Sequence, residues 1–210
     1  MGTTYNTANP EYIVDGTLTE GEAWVACATH VETGSGVLNV TFSSTTGCNN
    51  WSQYQDLVLI SSIRSEYTGA IIGGTISFNG DTTAAHYRDQ SIRDDGSATF
   101  AYEQQTNSYL ILLGAGALAN TFVSNLSRIH NINSGYCKTL SSQNSNCDNN
   151  TNWGVTLSTI IWGNVDSADV YYGAGDMQKA ITSITIGTTT GFQAGTRFDL
   201  FGVLPKLVVG

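Results

Sequence analysis

The side chains that could do acid chemistry in this chain are a few aspartates in turn-like contexts. Asp81 with Asp95, or Asp166 with Asp169, could form the carboxylate pair of a glycosidase. Asp166 and Asp169 together with Asp176 could also offer oxygen ligands to calcium, but their spacing does not match an EF-hand loop. We interpret all of these aspartates as solvated loop residues.

Nucleophilic and zinc-binding patterns are equally weak. A serine nucleophile would stand on a strained turn such as GxSxG, and the Gly-Ser-Gly run at residues 34–36 lacks that spacing. The three histidines, His30, His86 and His130, are widely scattered, and no cysteine pair has the short CxxC spacing of a zinc site. We therefore expect that the chain is not an enzyme and uses no cofactor or metal.

A cluster of aromatic residues is the best candidate for binding a sugar. Tyr171 and Tyr172 follow Trp162 and are flanked by Gly173 and Gly175, which indicates a loop. Aromatic rings on a rigid loop can stack against a glycan or fill a pocket of a protein partner. The alternative is that these rings cap the end of the fold.

The four cysteines, Cys27, Cys48, Cys137 and Cys147, allow two local bridges. The first residues do not form a basic segment followed by an apolar one, so we expect no signal peptide and synthesis in a reducing compartment. Ordinary thiols are then the expected state. The candidate disulfide joins Cys137 to Cys147 across a predicted surface loop at residues 141–152, after release into an oxidising medium.

The composition indicates a β-protein. Of 210 residues, 23 are Gly and only 12% are charged, whereas long exposed helices are usually covered with Glu, Lys and Arg. The hydrophobic fraction of 40% is enough for a packed core, so disorder is not expected. A chain of this length fits one all-β domain.

Strand patterns recur along the chain with turn residues between them. Leu38, Val40 and Phe42 alternate with polar residues, and Asn79-Gly80 is typical of a tight turn. Strands are predicted at residues 24–31, 38–42, 57–60, 76–78, 98–102, 108–113, 122–132, 155–162, 180–186 and 196–203. These strands, about ten in number and with little helix, predict an antiparallel two-sheet β-sandwich.

The sandwich is predicted to span residues 13–203. Residues 1–12 are expected to form an extended N-terminal arm, and residues 204–210 an apolar C-terminal tail. Such end segments could reach a neighbouring subunit. The candidate partner-contact residues in them are Tyr5, Tyr12, Leu207, Val208 and Val209.

The charge of the chain excludes some partners. The formal net charge is -9 and phosphates would be repelled, so nucleic acid is not an expected partner. The longest apolar runs are far below the roughly 18 residues of a membrane span, so no membrane partner is expected either.

Three motifs resemble those of tailed-bacteriophage virion structural proteins. The first is YQDLVLISSIRS at residues 54–65, and the second is ISFNGD at residues 76–81, followed by Tyr87. The third begins with Trp162, continues with ITSITI at residues 181–186 and ends with FQAGTRFDLFGV at residues 192–203, where Phe201 stands at a position that is often Tyr in that family. The matches span roughly residues 36 to 203 and include no catalytic residue.

The resemblance implies a jelly-roll-like module that is either a capsid decoration (cement) protein or part of a tail fibre. We expect decoration, because no long repetitive shaft is visible. The expected partner is the major capsid protein, the expected location is the virion after synthesis in the host cytoplasm, and a homo-oligomer such as a trimer is expected by analogy. The alternative is a receptor-binding module that recognises a host surface glycan.

The closing motif also has a physical interpretation of its own. Phe198 and Leu200 are two residues apart, so both should point from one strand into the core. Arg197 precedes them and could pair with a carboxylate on a neighbouring strand, such as Asp56. These residues account for a fold and not for a reaction.

Overall fold

The chain folds as two antiparallel β-sheets packed as a sandwich, which confirms the predicted fold class. The computed structural model describes residues 3–5, 13–14, 17–18, 24–34, 36–94, 99–104, 108–147, 153–163 and 179–204. The strands are β1 Thr4–Tyr5, β2 Ile13–Val14, β3 Thr17–Leu18, β4 Trp24–Val31, β5 Val37–Ser43, β6 Asp56–Ile63, β7 Ile71–Phe78, β8 Tyr87–Asp94, β9 Thr99–Gln104, β10 Ser108–Leu113, β11 Val123–His130, β12 Lys138–Cys147, β13 Trp153–Trp162, β14 Ser183–Phe192 and β15 Arg197–Val203.

The two sheets differ in width. The large sheet has nine strands in the order β1-β4-β15-β6-β11-β12-β13-β8-β9, and the small sheet has four in the order β10-β7-β14-β5. The short strands β2 and β3 pair only with each other. Because consecutive strands such as β4, β5, β6, β7 and β8 alternate between the sheets, the chain crosses the sandwich repeatedly, as the jelly-roll-like prediction requires.

Helical structure in the described residues consists of three short 3-10 turns, Gly47–Asn49, Trp51–Gln53 and Ala84–His86. No helix in this part of the chain has the length and apolar character needed to cross a membrane.

The core lies between the small sheet and the facing half of the large sheet. Period-2 alternation places every second residue of β6 and β15 on the inner face, where Leu57, Leu59, Phe198 and Leu200 are buried. The predicted inward orientation of Phe198 and Leu200 is therefore confirmed. The small sheet contributes the buried residues Phe42, Ile76, Phe78, Ile184 and Ile186.

Every predicted strand overlaps an observed one, but two long strands were missed. The polar segment at residues 141–152, predicted as a loop, belongs largely to β12, and β8 (Tyr87–Asp94) was not predicted. Polarity was a poor guide here because β12 lies between β11 and β13. Both neighbours satisfy its backbone hydrogen bonds, so its strand conformation does not depend on apolar side chains.

The strand assignment of β12 also excludes the candidate Cys137–Cys147 disulfide. Cys147 ends the ten-residue strand and Cys137 immediately precedes it. An extended strand of this length separates the two residues by about 30 Å, whereas bridged Cα atoms lie roughly 6 Å apart. Cys137 is a free thiol, as are Cys27 and Cys48.

Part of the predicted N-terminal arm belongs to the large sheet. Tyr5 lies in β1, which pairs with the edge of β4, and its half-buried side chain packs against the core. Of the other predicted partner-contact residues, Tyr12, Leu207, Val208 and Val209 lie outside the described residues.

Candidate functional site

Trp162 is a core residue, so its prediction as a glycan contact is wrong. It ends β13 on the inner face and is 0% exposed. Its ring packs against Phe78, with the centroids 5.4 Å apart, and against Tyr87. The sequence pattern missed this because the end of a strand and the start of a loop look alike when glycines follow. Tyr171 and Tyr172 lie outside the described residues.

The Asp81 carboxylate stabilises this end of the core through hydrogen bonds. Its Oδ2 accepts hydrogen bonds from Trp162 Nε1 at 2.9 Å and from the His86 ring at 2.8 Å, and Oδ1 accepts from the backbone of Thr83. Burial acts to raise the pKa of the Asp81 carboxyl, but these hydrogen bonds together lower it below its ordinary value. An acid held ionised in this way is a structural acceptor and a poor proton donor. Its suggested catalytic partner, Asp95, and the calcium candidates Asp166, Asp169 and Asp176 lie outside the described residues.

A buried polar network occupies the inner face of β11 and β12. Ser142 donates from Oγ to Asn125 Oδ1 at 2.7 Å, and Asn125 Nδ2 donates to Ser61 Oγ at 3.1 Å. Ser127 Oγ lies 3.1 Å from Ser142 Oγ. All four side chains are at most 5% exposed, so their mutual hydrogen bonds offset the cost of removing them from water.

The outer face of the large sheet carries a row of four exposed aliphatic side chains with one glutamine between them. The register aligns one residue from each of β6, β11, β12, β13 and β8, and these are Ile60, Leu126, Gln143, Leu157 and Ile92. Ile60 and Leu126 are 38% and 39% exposed, and Leu157 and Ile92 are 50% and 54% exposed. We call these five residues the outer row. At the usual strand spacing it spans roughly 20 Å.

The strands of the outer row reverse the usual pattern, in which apolar side chains face the core and polar side chains face the solvent. In β11, Leu126 faces outward while the next residue, Ser127, is fully buried. In β13, Leu157 faces outward while Ser158 is buried. A single exposed leucine is ordinary on a protein surface, but an aligned set of them on a rigid sheet is typical of a surface that a partner covers.

Two shallow grooves follow the outer row. The larger has a volume of about 820 Å³ and runs from Trp24 at the β4 side to Glu103 on β9. The smaller has a volume of about 560 Å³ and shares Leu126 and Leu157 with the larger one. Trp24 is 42% exposed and its ring lies 6.0 Å from that of Phe201, which gives the larger groove an aromatic end.

The charged groups beside the grooves are arranged in pairs. Arg128 donates to Asp56 Oδ2 from both Nε and Nη2, at 2.8 and 2.6 Å. Arg197 pairs at 2.7 Å with Asp199 of the same strand, so the predicted Arg197–Asp56 pair is wrong. Register explains the difference, because Arg197 lies opposite Ser62 of β6, while Asp56 lies opposite Val203. The outer face therefore offers apolar contact framed by neutral ion pairs.

The described residues do not assemble a metal-binding cluster of three or more His, Cys, Asp or Glu side chains. The buried thiol of Cys27 donates to the carbonyl of Cys48 at 3.1 Å, and burial raises its pKa to about 12. Such a thiol is almost entirely protonated at neutral pH and is a poor nucleophile. The outer row is thus the strongest candidate functional surface in the described part of the chain.

The sequence did not single out the outer row. A signal was present, because Leu126 and Leu157 each precede a serine within an alternating strand, but alternation does not say which of two neighbours faces the core.

Comparison of the chain with protein-family models, curated proteins and solved structures finds no match.

Proposed function

We propose that this chain is a phage virion structural protein of the capsid decoration (cement) class, which binds the major capsid protein through the outer row. The observation that carries the proposal is the inverted pattern of β11 and β13, where leucines face outward above buried serines. The proposal that the particle is a phage virion is supported by the resemblance of residues 54–65, 76–81 and 192–203 to virion structural proteins of tailed bacteriophages.

The outer face has the composition of an interface centre. Interfaces are enriched in apolar residues at their core and place polar and charged groups at the rim. Here the aliphatic row has Arg128 paired with Asp56 on one side and Arg197 paired with Asp199 on the other. A partner can cover the row without burying an unpaired charge, which keeps the desolvation cost low.

The rigidity of the sheet adds to the proposed affinity. β11, β12 and β13 are central strands, each hydrogen bonded to a neighbour on both sides. Because their backbones are already ordered, binding costs little conformational entropy. A rigid surface of this kind suits a protein that strengthens a repeating lattice by bridging its subunits.

The copy number of the chain in purified virions tests the proposed class. Decoration of a capsid lattice requires hundreds of copies per particle, on the order expected for a protein bound at every repeat. Quantitative gel analysis or mass spectrometry of purified particles measures this number. A handful of copies would instead assign the chain to the tail, and complete absence would overturn the proposal.

Charge substitution in the outer row tests the proposed surface. Leu157→Glu should weaken rebinding of the purified chain to particles stripped of it by at least about tenfold, because a carboxylate would be buried against the partner. Leu118→Glu is the matched control, since Leu118 is 49% exposed, much like Leu157, but lies in a loop away from the sheet face. Equal rebinding by both variants would show that the outer row is not the capsid contact.

A further inference from the structure

The small sheet ends on one side at β5, which pairs with β14 alone. Ser44 N–H donates to the carbonyl of Thr182 at 2.8 Å, so these two residues form a hydrogen-bonded pair at the end of the ladder. Because hydrogen-bonded and non-hydrogen-bonded pairs alternate along antiparallel strands, Asn39 and Thr41 direct their N–H and C=O groups away from β14. Within the described part of the chain, these groups have no hydrogen-bond partner.

The other edges of the two large sheets are protected in ways that β5 is not. The edge strand β1 has only two residues, and β9 carries Glu103, which lies 3.9 Å from Arg88. The end of β10 is covered, because Ser65 N–H donates to the carbonyl of Leu113 at 2.7 Å. Short strands, charges and covering segments are the usual means of preventing pairing between sheet edges. In contrast, β5 has seven residues, Val37–Ser43, and neither a charge nor a proline among them.

The side chains of β5 are already held in place. On the outer face of the small sheet, Thr41 Oγ1 lies 2.9 Å from Thr185 Oγ1, and on the inner face Val40 is buried. Asn49 Nδ2 donates to the carbonyl of Ser43 at 2.7 Å and closes the far end of the edge. Because the strand is ordered before any partner binds, pairing costs little conformational entropy.

The edge also has apolar surface beside its backbone groups. Leu38 is 49% exposed, and Val37 is 36% exposed. Leu38 precedes the buried Val40 by two residues, so both side chains lie on the same side of the strand. A strand added to this edge would therefore cover Leu38 as well as satisfy the backbone.

We propose that β5 pairs with β5 of a second copy of this chain, antiparallel and about a two-fold axis at Val40. In this register Asn39 of each copy lies opposite Thr41 of the other. Every outward N–H and C=O of these two residues then finds a partner, two hydrogen bonds for each of the two residue pairs. On the inner side, Leu38 of one copy lies opposite Phe42 of the other, which removes apolar surface from water.

The proposed partner is a second copy because this edge is complementary to itself. A two-fold axis repeats each contact, and no like charges meet, since Val37–Ser43 is uncharged although the chain has a net charge of -9. A chain of this charge attracts basic partners at a distance, but β5 offers them no carboxylate. The pair would form one sheet of eight strands, four from each copy, and would leave the outer row on the other sheet uncovered.

Sedimentation velocity of the purified chain tests for the pair. The wild type should form a dimer whose fraction rises with concentration up to about 100 µM, since an interface of this kind is at the small end of the usual range. Added salt should increase the dimer fraction, because it screens the repulsion between two negatively charged copies. A wild-type chain that stays monomeric at all concentrations would overturn the proposal.

Charge substitutions identify the strand that pairs. The double variant Asn39→Lys with Thr41→Lys and the double variant Asn39→Glu with Thr41→Glu should each dimerise at least about tenfold more weakly, because like charges then face each other. An equimolar mixture of the two should recover the dimer, because opposite charges then face each other. Thr185→Lys is the matched control, since Thr185 contacts Thr41 but lies on β14, inside the sheet, and should keep the dimer.

The remaining outcomes decide between surfaces. Thermal unfolding of the double variants should be close to that of the wild type, because both substituted side chains are exposed. A dimer that persists in both double variants, or a mixture of folded variants that stays monomeric, would contradict the pairing of β5. Loss of the dimer in Leu157→Glu alone would assign self-association to the outer row instead. None of these measurements uses phage particles, so the outcome is independent of capsid rebinding.

Discussion

The inner and outer faces of the large sheet differ most clearly along β11 and β13. On the inner side, Ser127 and Ser158 are buried although they are polar. On the outer side, Leu126 and Leu157 are exposed although they are apolar. The same two strands therefore carry buried polar side chains on the inner face and exposed apolar side chains on the outer face.

This comparison shows that burial and hydrophobicity are separate properties. Polar side chains are stable inside the sandwich when they bond one another, as Asn125 does with Ser142 and Ser61. Apolar side chains on the outer face are only partly buried in the isolated fold. Their remaining exposed area would contribute to stability if another surface removed it from water, which is why we assign this face to a partner.

The largest expected effect comes from placing a charge in the inner layer. Ser142→Asp would put a carboxylate next to Asn125 Oδ1 in a site that is 3% exposed. The cost should be about 3 kcal/mol or more in the free energy of unfolding, because the charge is buried without a cation. Ser141→Asp changes the neighbouring residue on the outer face and should cost less than about 0.5 kcal/mol.

Urea unfolding at neutral pH measures both variants. Similar costs for Ser141→Asp and Ser142→Asp would mean that the two faces of β12 are not distinguished as described. A fully unfolded Ser142→Asp variant beside a stable Ser141→Asp variant would support the distinction.

A smaller effect is expected at Asp89, also on the inner face. Its Oδ2 accepts only a long hydrogen bond, 3.4 Å from Ser91, and within the described part of the chain its Oδ1 has no partner. Burial raises the pKa of this carboxyl from 3.8 to about 6. The folded state therefore holds the proton more tightly than the unfolded state, so this group makes stability fall as pH rises from about 4 to 6 and contributes no further change above that range.

Asp89→Asn should remove this dependence. At pH 7 the variant should be more stable than the wild type by up to about 3 kcal/mol, and at pH 4 the two should be nearly equal. Urea unfolding of both proteins from pH 4 to pH 7 measures the difference between their free energies of unfolding. The titration of all other groups cancels in this difference, because both proteins share those groups. A constant difference at all pH values would contradict the assignment.

The smallest effect on stability is expected in the outer row. Leu126→Ser with Leu157→Ser should lower the free energy of unfolding by no more than about 2 kcal/mol, because 39% of Leu126 and 50% of Leu157 are already exposed. Ile160→Ser, on the inner face of β13, is the control and should cost roughly 3 kcal/mol. The double variant should also associate less with itself at high concentration, as light scattering would show; a large loss of stability would mean that the outer row is part of the core.

Much of the fold could be predicted from local pattern. Alternation in residues 38–42 and the apolar run at residues 57–60 each coincide with a strand. The turn at Asn79-Gly80 is present, with φ angles of 52° and 75°. These features are local because a strand and a tight turn depend on the backbone preferences of the residues that form them.

The candidate sites could not be predicted in the same way. Trp162 looked like a loop aromatic and is in the core, where Asp81, from a distant part of the chain, accepts its indole N–H. The partner that decides the role of Trp162 is 81 residues away in the sequence, so only the three-dimensional contacts identify it.

The sequence by itself determined that the chain is an antiparallel β-sandwich with Phe198 and Leu200 on one face and tight turns between strands. Only the tertiary structure decided which face of each alternating strand lies inside. A period of two describes both faces equally well, and the register with neighbouring strands selects one of them. That choice buried Ser127 and left Leu126 in the outer row, and so created the surface to which we assign a function.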